Sequence, residues 1–290
     1  MKNKKKAPPF RVGVHTSIAG GISNSIERAV LLDCNTVQIF SHSPRQWRKT
    51  VIPSNEAERF TALRQESNIN PVFVHASYLI NLASLSPDVV TKSIDLLAYE
   101  MDNADQIGAE YVVLHTGSAS GEDGAIARQK AARALKESLE KKQGKASIIL
   151  ENTAGQRGDI TSTIQSLADI MDLCNSDRIS GICIDTCHAF ASGYDIKSRK
   201  GLNKLLTEIK KYIGIDKLKL IHLNDSKKHL GSGVDRHEHI GRGAIGIDGF
   251  RNILSDRRIR KVPIILETPK ENEDDDKKNL KTVLSLLKVG

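Results

Sequence analysis

Residues 181–190 read GICIDTCHAF, a short apolar run that ends in a carboxylate. The run GICID has the length and composition typical of a strand buried on both faces, as in a parallel sheet. A buried strand should not end on a charged side chain without a compensating partner, because an unpaired buried charge is costly. Asp185 is therefore the first candidate functional residue, and His188, three positions further on, is the second.

Apolar runs of this kind alternate with segments of helical periodicity along the chain. The runs lie at 11–15, 36–41, 71–75, 111–115, 147–151, 181–185, 218–223 and 262–267. Helical patterns lie at 23–33, 88–108, 123–144, 160–174, 203–213 and 277–288. No linker divides the 290 residues. Eight strands alternating with helices predict an α/β fold, a single-domain (β/α)₈ TIM barrel spanning residues 11–290.

Composition and charge limit the class of protein. Hydrophobic residues make up 39% of the chain and charged residues 27%, as in ordinary globular proteins. No apolar run approaches the roughly 20 residues that span a bilayer. The basic stretch 1–10 lacks the apolar segment of a secretory signal and is predicted to be a solvated tail. We therefore expect a cytoplasmic protein without a membrane partner. The net charge of +8 suits an anionic partner such as nucleic acid.

The four cysteines are Cys34, Cys174, Cys183 and Cys187. A chain of this length without a secretory signal gives no reason to expect a disulfide framework. No second pair of cysteines supports a zinc ribbon with Cys183 and Cys187. We expect all four to pack in the interior.

The predicted strands end in residues of one chemical type. Six of the runs have a ligand-type side chain at their last position or one position before it. These side chains are His75, His115, Glu151, Asp185, His222 and Glu267. In a TIM barrel the carboxyl ends of the strands converge on one face. Carboxylates packed together repel one another, so a positive charge must lie among them. Imidazole and carboxylate ligands without thiolate suit Zn²⁺ or Mn²⁺, and either Glu151 or Glu267 could bridge two ions.

A second cluster accounts for His188. Asp235 and His237 occupy positions i and i+2, which project to one side of an extended chain. Together with His188 they could hold a further ion. The motif DRHEH is a weak signal by itself, because solvated loops often carry such residues. The remaining histidines are expected to be exposed (His42, His229, His239) or packed at the end of the first strand (His15).

These residues lie in blocks that resemble the endonuclease IV family of apurinic/apyrimidinic endonucleases over nearly the whole chain. The blocks are VGVHTSIAGG (12–21), HASYLINLAS (75–84), LHTGS (114–118), LENTAGQ (150–156), IDTCHAFASGYD (184–195), HLNDS (222–226), GSGVDRHEHIGRGAIG (231–246) and ILETP (265–269). The resemblance implies three zinc ions per chain, with Mn²⁺ an alternative at some sites. The implied ligands are His75, His115 and Glu151 for the first ion; Glu151, Asp185, His222 and Glu267 for the second; and His188, Asp235 and His237 for the third.

The resemblance also implies an activity. The family cleaves DNA on the 5′ side of an abasic site, leaves a 3′-hydroxyl and a 5′-deoxyribose phosphate, and trims blocked 3′ ends. The implied partner is double-stranded DNA with such lesions, bound by a monomer. Glu267, beside the attacking water, and the bridging Glu151 are the implied catalytic residues. Arg45 in SPRQWR (43–48) is the implied inserted cation, and Tyr78 and Leu79 are implied to fill the gap in the base stack.

Two other classes of protein remain open. A xylose isomerase-like sugar isomerase also surrounds a divalent metal with Glu, Asp and His, but such enzymes lack the cluster of His188, Asp235 and His237. They also lack the SYLIN and RQW loops. A non-catalytic nucleic-acid-binding protein on the same scaffold is disfavoured by the complete set of ligand types.

Overall fold

The computed structural model describes residues 10–119 and 121–289, and within these ranges eight parallel strands form one sheet. They are β1 (Val12–Val14), β2 (Val37–Ile39), β3 (Val72–His75), β4 (Tyr111–Leu114), β5 (Ser147–Glu151), β6 (Ile179–Asp185), β7 (Leu218–His222) and β10 (Ile264–Leu266). Their order is β1-β10-β7-β6-β5-β4-β3-β2, so the sheet curls into a TIM barrel. The predicted fold is confirmed, and each strand lies at a predicted apolar run.

The seam between β1 and β2 closes the barrel near its carboxyl end. His15 and Gln38 form a parallel bridge there, and the Thr16 amide donates a hydrogen bond to the Gln38 carbonyl over 2.8 Å. Gly13 permits this approach, because a Cβ atom at that position would lie 1.9 Å from the carbonyl oxygen of Thr36. The first two strands therefore meet where the active face of such a barrel would lie.

Helices separate the strands. They are α1 (Asn24–Leu31), α2 (Ser54–Glu66), α3 (Pro87–Gln106), α4 (Gly124–Glu140), α5 (Ile164–Cys174), α6 (Thr186–Ala191), α7 (Arg199–Tyr212), α8 (Gly246–Ser255) and α9 (Asp275–Val289), with 3₁₀ turns at Ile215–Lys217 and Ile259–Lys261. Two short strands, β8 (Asp225–Ser226) and β9 (His237–Glu238), form an antiparallel pair after β7. The helical patterns predicted six of these helices and missed α2, α6 and α8.

The barrel interior explains why the strand ends meet. Its apolar layer consists of Phe73, Val113, Ile149, Cys183, Leu220 and Ile265. Alternate residues of a strand point to the same side. The side chains two positions further along each strand therefore also point inward, at the carboxyl end of the barrel. These are the six ligand-type residues His75, His115, Glu151, Asp185, His222 and Glu267.

Three other expectations from the sequence bear on the whole chain. The four cysteines are free and buried, as expected of packing residues. Residues 1–9 of the predicted basic tail (1–10) lie outside the described residues, and the boundary between tail and barrel stays a prediction. Within the described residues, no helix combines the length and apolar character that crossing a membrane requires.

Candidate metal centre

The fully buried carboxylate of Glu151 lies at the centre of the cluster. Its Oε2 atom lies 3.3 Å from His75 Nε2 and 3.2 Å from His115 Nε2. Its Oε1 atom lies 2.9 Å from His222 Nδ1. The two oxygens thus face two different groups of ring nitrogens, which is the arrangement that a carboxylate bridging two cations requires.

Two groups of possible ligand atoms share Glu151. One contains His75, His115 and Glu151, and the other contains Glu151, Asp185, His222 and Glu267; within each group the ligand atoms lie within 4.8 Å of one another. Glu267 Oε2 lies 3.2 Å from His222 Nδ1. These groups match the first two ligand sets expected from the sequence.

The third expected set lies beside them. His188 Nε2 is 3.2 Å from Asp235 Oδ2, and His237 Nε2 is 3.3 Å from Asp235 Oδ1. Asp185 also approaches this set, with its Oδ2 atom 3.6 Å from His237 Nε2. The Cys187 thiol groups with Asp235 and His237 within 4.8 Å, although the sequence suggested only a packing role for it.

Hydrogen bonds to backbone carbonyls set the tautomers of three rings. The Nδ1 atoms and their acceptors are His75 with Ala76 O (2.8 Å), His188 with Asn152 O (3.0 Å) and His237 with Glu267 O (2.9 Å). A carbonyl oxygen only accepts, so each Nδ1 carries the hydrogen, and the neutral ring has its lone pair on Nε2. Each Nε2 faces carboxylate oxygens, which also present lone pairs.

Nitrogen and oxygen lone pairs that face one another repel, and a cation between them would relieve this repulsion. Among the described residues, His237 Nε2 is buried and has no hydrogen-bond partner. A proton or a metal ion must lie between such atoms to offset their repulsion. Imidazole and carboxylate oxygens are ligands that zinc and manganese accept, and backbone acceptors behind metal-binding histidines are the usual supporting arrangement. The residues present therefore fit divalent metal ions.

The pKa shifts of the ionisable groups also favour positive charge in the cluster. Burial opposes ionisation of Glu151, but the His115 and His222 rings hold the pKa of its carboxyl well below the usual range. Burial also opposes ionisation of Asp235, but His188 lowers the pKa of that carboxyl to about 2. Burial disfavours the charged form of His188, yet the neighbouring carboxylates raise its pKa well above the usual value. The cluster thus keeps its carboxylates ionised and favours positive charge among them.

Two asparagines that were not singled out from the sequence hold Asp185 and Glu267 in place. Asn224 Nδ2 donates to Asp185 Oδ2 over 2.6 Å, and Asn224 Oδ1 accepts from the Glu267 amide over 2.8 Å. Asn152 Oδ1 accepts from the Asp185 amide over 2.7 Å. The sequence did contain a signal for these asparagines, since each one closely follows a strand that ends in a ligand-type residue.

The loops after β2 and β3 lie at the rim of the cluster. Tyr78 is 64% exposed and packs edge-on against Phe40, with ring centroids 5.2 Å apart. Arg45 is exposed and Leu79 is half-buried. Trp47, on the same loop as Arg45, is 36% exposed.

The outcome for the remaining histidines is mixed. His42 was expected to be exposed, and this was wrong: it is buried because its Nε2 atom bonds Glu100 of α3 over 2.6 Å. His229 is exposed as expected, whereas His239 is half-buried. His15 packs against Phe40, with ring centroids 4.4 Å apart, as its expected packing role requires.

The fold and the cluster define a TIM barrel with a candidate metal centre at the carboxyl ends of its strands, and comparison with known proteins agrees. Residues 26–288 match the family described as the xylose isomerase-like TIM barrel. A probable endonuclease 4 of Methanoculleus marisnigri is 40% identical over 276 residues, covering 95% of this chain and 98% of that protein.

Solved structures extend the comparison. The crystal structure of endonuclease IV from Thermus thermophilus matches with a TM-score of 0.86 and 33% identity, covering 97% of this chain and all of that one. A D-tagatose 3-epimerase-like protein matches with a TM-score of 0.69 at 20% identity, a likeness of fold alone. The chain belongs to the endonuclease IV family, a family of apurinic/apyrimidinic endonucleases.

Proposed function

We propose that this protein is a zinc-dependent apurinic/apyrimidinic endonuclease of DNA base excision repair. It hydrolyses the phosphodiester 5′ to an abasic site, leaves a 3′-hydroxyl and a 5′-deoxyribose phosphate, and trims blocked 3′ ends. The observation that supports this most directly is the cluster of nine imidazole and carboxylate groups, whose nitrogens and oxygens face one another at the mouth of the barrel.

Three groups of residues would hold the ions, zinc in the first instance and Mn²⁺ at some sites. They are His75, His115 and Glu151; Glu151, Asp185, His222 and Glu267; and His188, Asp235 and His237. When bound, the ions would neutralise the phosphate and lower the pKa of water toward about 7. The backbone carbonyls behind the histidine rings keep the ligating nitrogens aimed at the cluster.

The two candidate catalytic carboxylates have different environments. The Glu151 side chain is fully buried, and its two oxygens face separate groups of rings, which suits a fixed bridging ligand. The Glu267 side chain is 18% exposed, so one of its oxygens can reach a water molecule. We assign to Glu267 the orientation of the attacking water and acceptance of its proton.

Recognition of damaged DNA is assigned to the rim. Tyr78 and Leu79 would fill the gap left by the missing base, and Arg45 would enter the groove from the neighbouring loop. Inserting side chains costs unstacking energy, which is smallest at a damaged site. The exposure of Tyr78 and the net charge of +8 support binding of double-stranded DNA, which we propose is bound by a monomer.

A duplex with one tetrahydrofuran abasic analogue tests the proposal. The analogue resists lyase cleavage, so a nick that leaves a 3′-hydroxyl indicates hydrolysis. We expect cleavage 5′ to the analogue, no cleavage of the matched intact duplex, and loss of cleavage in chelator. Absence of any nick from the zinc-loaded protein, together with turnover of a ketose or aldose, would instead favour the sugar isomerase.

A further inference from the structure

Gln38 of β2 lies at the base of the metal centre, where no side chain of this type was expected from the sequence. The residue is fully buried. Its Nε2 atom donates to Glu267 Oε1 over 2.5 Å and lies 3.0 Å from His15 Nδ1. Its Oε1 atom lies 2.7 Å from His222 Nε2. One amide thus contacts two of the proposed ligands.

The chemistry of the partners fixes the orientation of this amide. An ionised carboxylate accepts hydrogen bonds and cannot donate, so the NH₂ group of Gln38 must face Glu267. The amide oxygen must then face His222, and His222 Nε2 must carry the hydrogen that it donates. The lone pair of the neutral His222 ring consequently lies on Nδ1.

That nitrogen is the one that faces the metal centre. His222 Nδ1 lies 2.9 Å from Glu151 Oε1 and 3.2 Å from Glu267 Oε2. His222 also differs from His75, His188 and His237, whose outer nitrogens bond backbone carbonyls that no substitution removes. The tautomer of His222 depends on a side chain.

The backbone of Gln38 makes its amide a rigid support. Its carbonyl accepts the Thr16 amide at the seam, and its neighbours on β2 pair with β3. The side chain is held between three polar groups with no exposed surface. Groups held in this way transmit their orientation to the ligands that they contact.

We propose that Gln38 is a positioning residue that selects the metal-binding tautomer of His222 and fixes the Glu267 carboxylate, and so sets the affinity for the ion held between them. This inference rests on the proposed metal-dependent function. Gln38 acts through the two ligands and does not itself contact the ion or the DNA.

Gln38→Met tests the inference, because methionine has a similar length and cannot form these hydrogen bonds. We expect the zinc-loaded variant to bind one of its zinc ions about 10- to 100-fold more weakly than the wild type does. Competition with a chromogenic chelator measures this affinity. Long-range ¹H–¹⁵N correlations should show a single His222 tautomer with hydrogen on Nε2 in the wild type, and a different pattern in the variant.

Gln106→Met is the matched control, since the Gln106 amide donates to the Ile52 carbonyl on the outside of the barrel over 2.9 Å. It should leave zinc affinity and the His222 pattern unchanged. Circular dichroism and Tm establish that each variant is folded.

Gln38→Glu serves if the methionine variant does not fold, because it keeps the shape and the acceptor for His222 but removes the donor to Glu267. It should keep the His222 tautomer and still release zinc more readily. Wild-type zinc affinity in a folded Gln38 variant, or a wild-type His222 that carries its hydrogen on Nδ1, overturns the inference. A wild-type protein that binds no zinc would instead overturn the proposed function.

Discussion

Glu151 shows how a single side chain can depend on the whole site. Its carboxylate has no exposed surface, and four imidazole nitrogens lie within 3.4 Å of its oxygens. A buried charge of this kind is tolerated only when it is paired, and removing its partners is strongly destabilising. Glu267, directly after the end of β10, retains contact with solvent because its side chain is 18% exposed. The two carboxylates are therefore separable by mutation.

We predict that Glu267→Gln lowers the rate of nicking roughly 100- to 10,000-fold, the range expected for loss of a general base, while abasic DNA still binds. The amide keeps the shape of the side chain but cannot accept the proton of water. Single-turnover cleavage and an equilibrium binding assay measure the two effects. Glu273→Gln, an exposed carboxylate after β10, is the control and should retain full activity.

A Glu267→Gln variant that retains more than about a tenth of wild-type turnover would show that the assigned role is wrong. That threshold corresponds to only about 1.4 kcal/mol of barrier. Loss of zinc from the variant would have to be measured in parallel, because Glu267 is also a proposed ligand.

The site residues that were predictable are those with a regular relation to the strands. The six strand-end residues follow from the period-2 alternation of buried strands, which places them two positions beyond the interior layer. Gln38 obeys the same alternation, but glutamine is not a usual metal ligand, so the pattern gave it no role. His42 could not be located by pattern, because its burial depends on Glu100, 58 residues away on α3.

At the scale of elements, α3 joins the two loops to which DNA recognition is assigned. Glu100 is 1% exposed; it bonds His42 Nε2 over 2.6 Å and accepts from the Ser77 amide over 3.0 Å. The Ser77 hydroxyl in turn donates to the Pro44 carbonyl over 2.7 Å. The loop that carries Arg45 and the loop that carries Tyr78 are therefore tied to one buried carboxylate.

We predict that Glu100→Gln lowers the preference for abasic over intact duplex without changing metal content. The neutral amide accepts more weakly than the carboxylate and lacks the second oxygen that the Ser77 amide reaches over 3.2 Å, so the common anchor of the two loops is weakened. We also expect the free energy of unfolding to fall by about 1–3 kcal/mol, as when a buried polar group loses its partner. Denaturant titration and paired binding assays measure these effects.

The exposed Glu140→Gln on α4 is the control for Glu100→Gln and should change neither quantity. Wild-type preference for abasic duplex in a destabilised Glu100→Gln protein would mean that Glu100 contributes to stability alone.

We predict that Arg45→Ala combined with Tyr78→Ala weakens binding to abasic duplex far more than binding to intact duplex. Stacking contacts are worth roughly 1–3 kcal/mol each, so the preference should fall ten-fold or more. Binding to intact DNA should remain electrostatic and steeply salt-dependent. Affinities for both duplexes at one salt concentration, with metal content measured, decide the matter.

The matched control for this double variant is Arg257→Ala combined with Tyr212→Ala. Both residues lie where helices α7 and α8 end, at the opposite face of the barrel from the metal centre. An equal loss of affinity for both duplexes in the Arg45 and Tyr78 variant would mean that these residues contact only the DNA backbone.

Helix α8 carries a readable apolar period that the sequence analysis missed, whereas α2 lacks one. Helix α2 buries only Ala57, Phe60 and Arg64, and the buried arginine is held by ion pairing with Glu110 over 2.6 Å. The strand pair β8 and β9 is too short for a pattern. Its following loop is held by Asp225, whose carboxylate accepts from the amides of Gly241, Gly243 and Ile245. Such contacts exist only once the fold has brought the segments together.

At the scale of the whole molecule, the barrel brings the ends of its strands together and so concentrates charge at one mouth. Glu151 and Asp185 have no exposed surface, and Glu267 and Asp235 lie beside them. Without bound cations these carboxylates must be balanced by protonated histidines. Anything that binds the folded chain but not the unfolded chain stabilises it. Metal binding should therefore contribute directly to the stability of the barrel.

We predict that the protein purified without added metal contains about three divalent ions per chain, mainly zinc, and that a strong chelator lowers its Tm. Stabilisation by a ligand at a hundred times its Kd amounts to about 2.7 kcal/mol, which corresponds to several degrees in a protein of this size. Elemental analysis gives the count, and calorimetry before and after chelation gives the shift.

Readdition of zinc should restore both Tm and nicking, which separates metal loss from irreversible damage by the chelator. Asp235→Asn should remove about one ion and leave the other two, because Asp235 is proposed as a ligand of the third ion alone. Its side chain, at 42% exposed, is also the most accessible of these carboxylates. One ion or none in a fully active protein would contradict the arrangement of three ions. Loss of all ions from Asp235→Asn would mean that the groups do not bind independently.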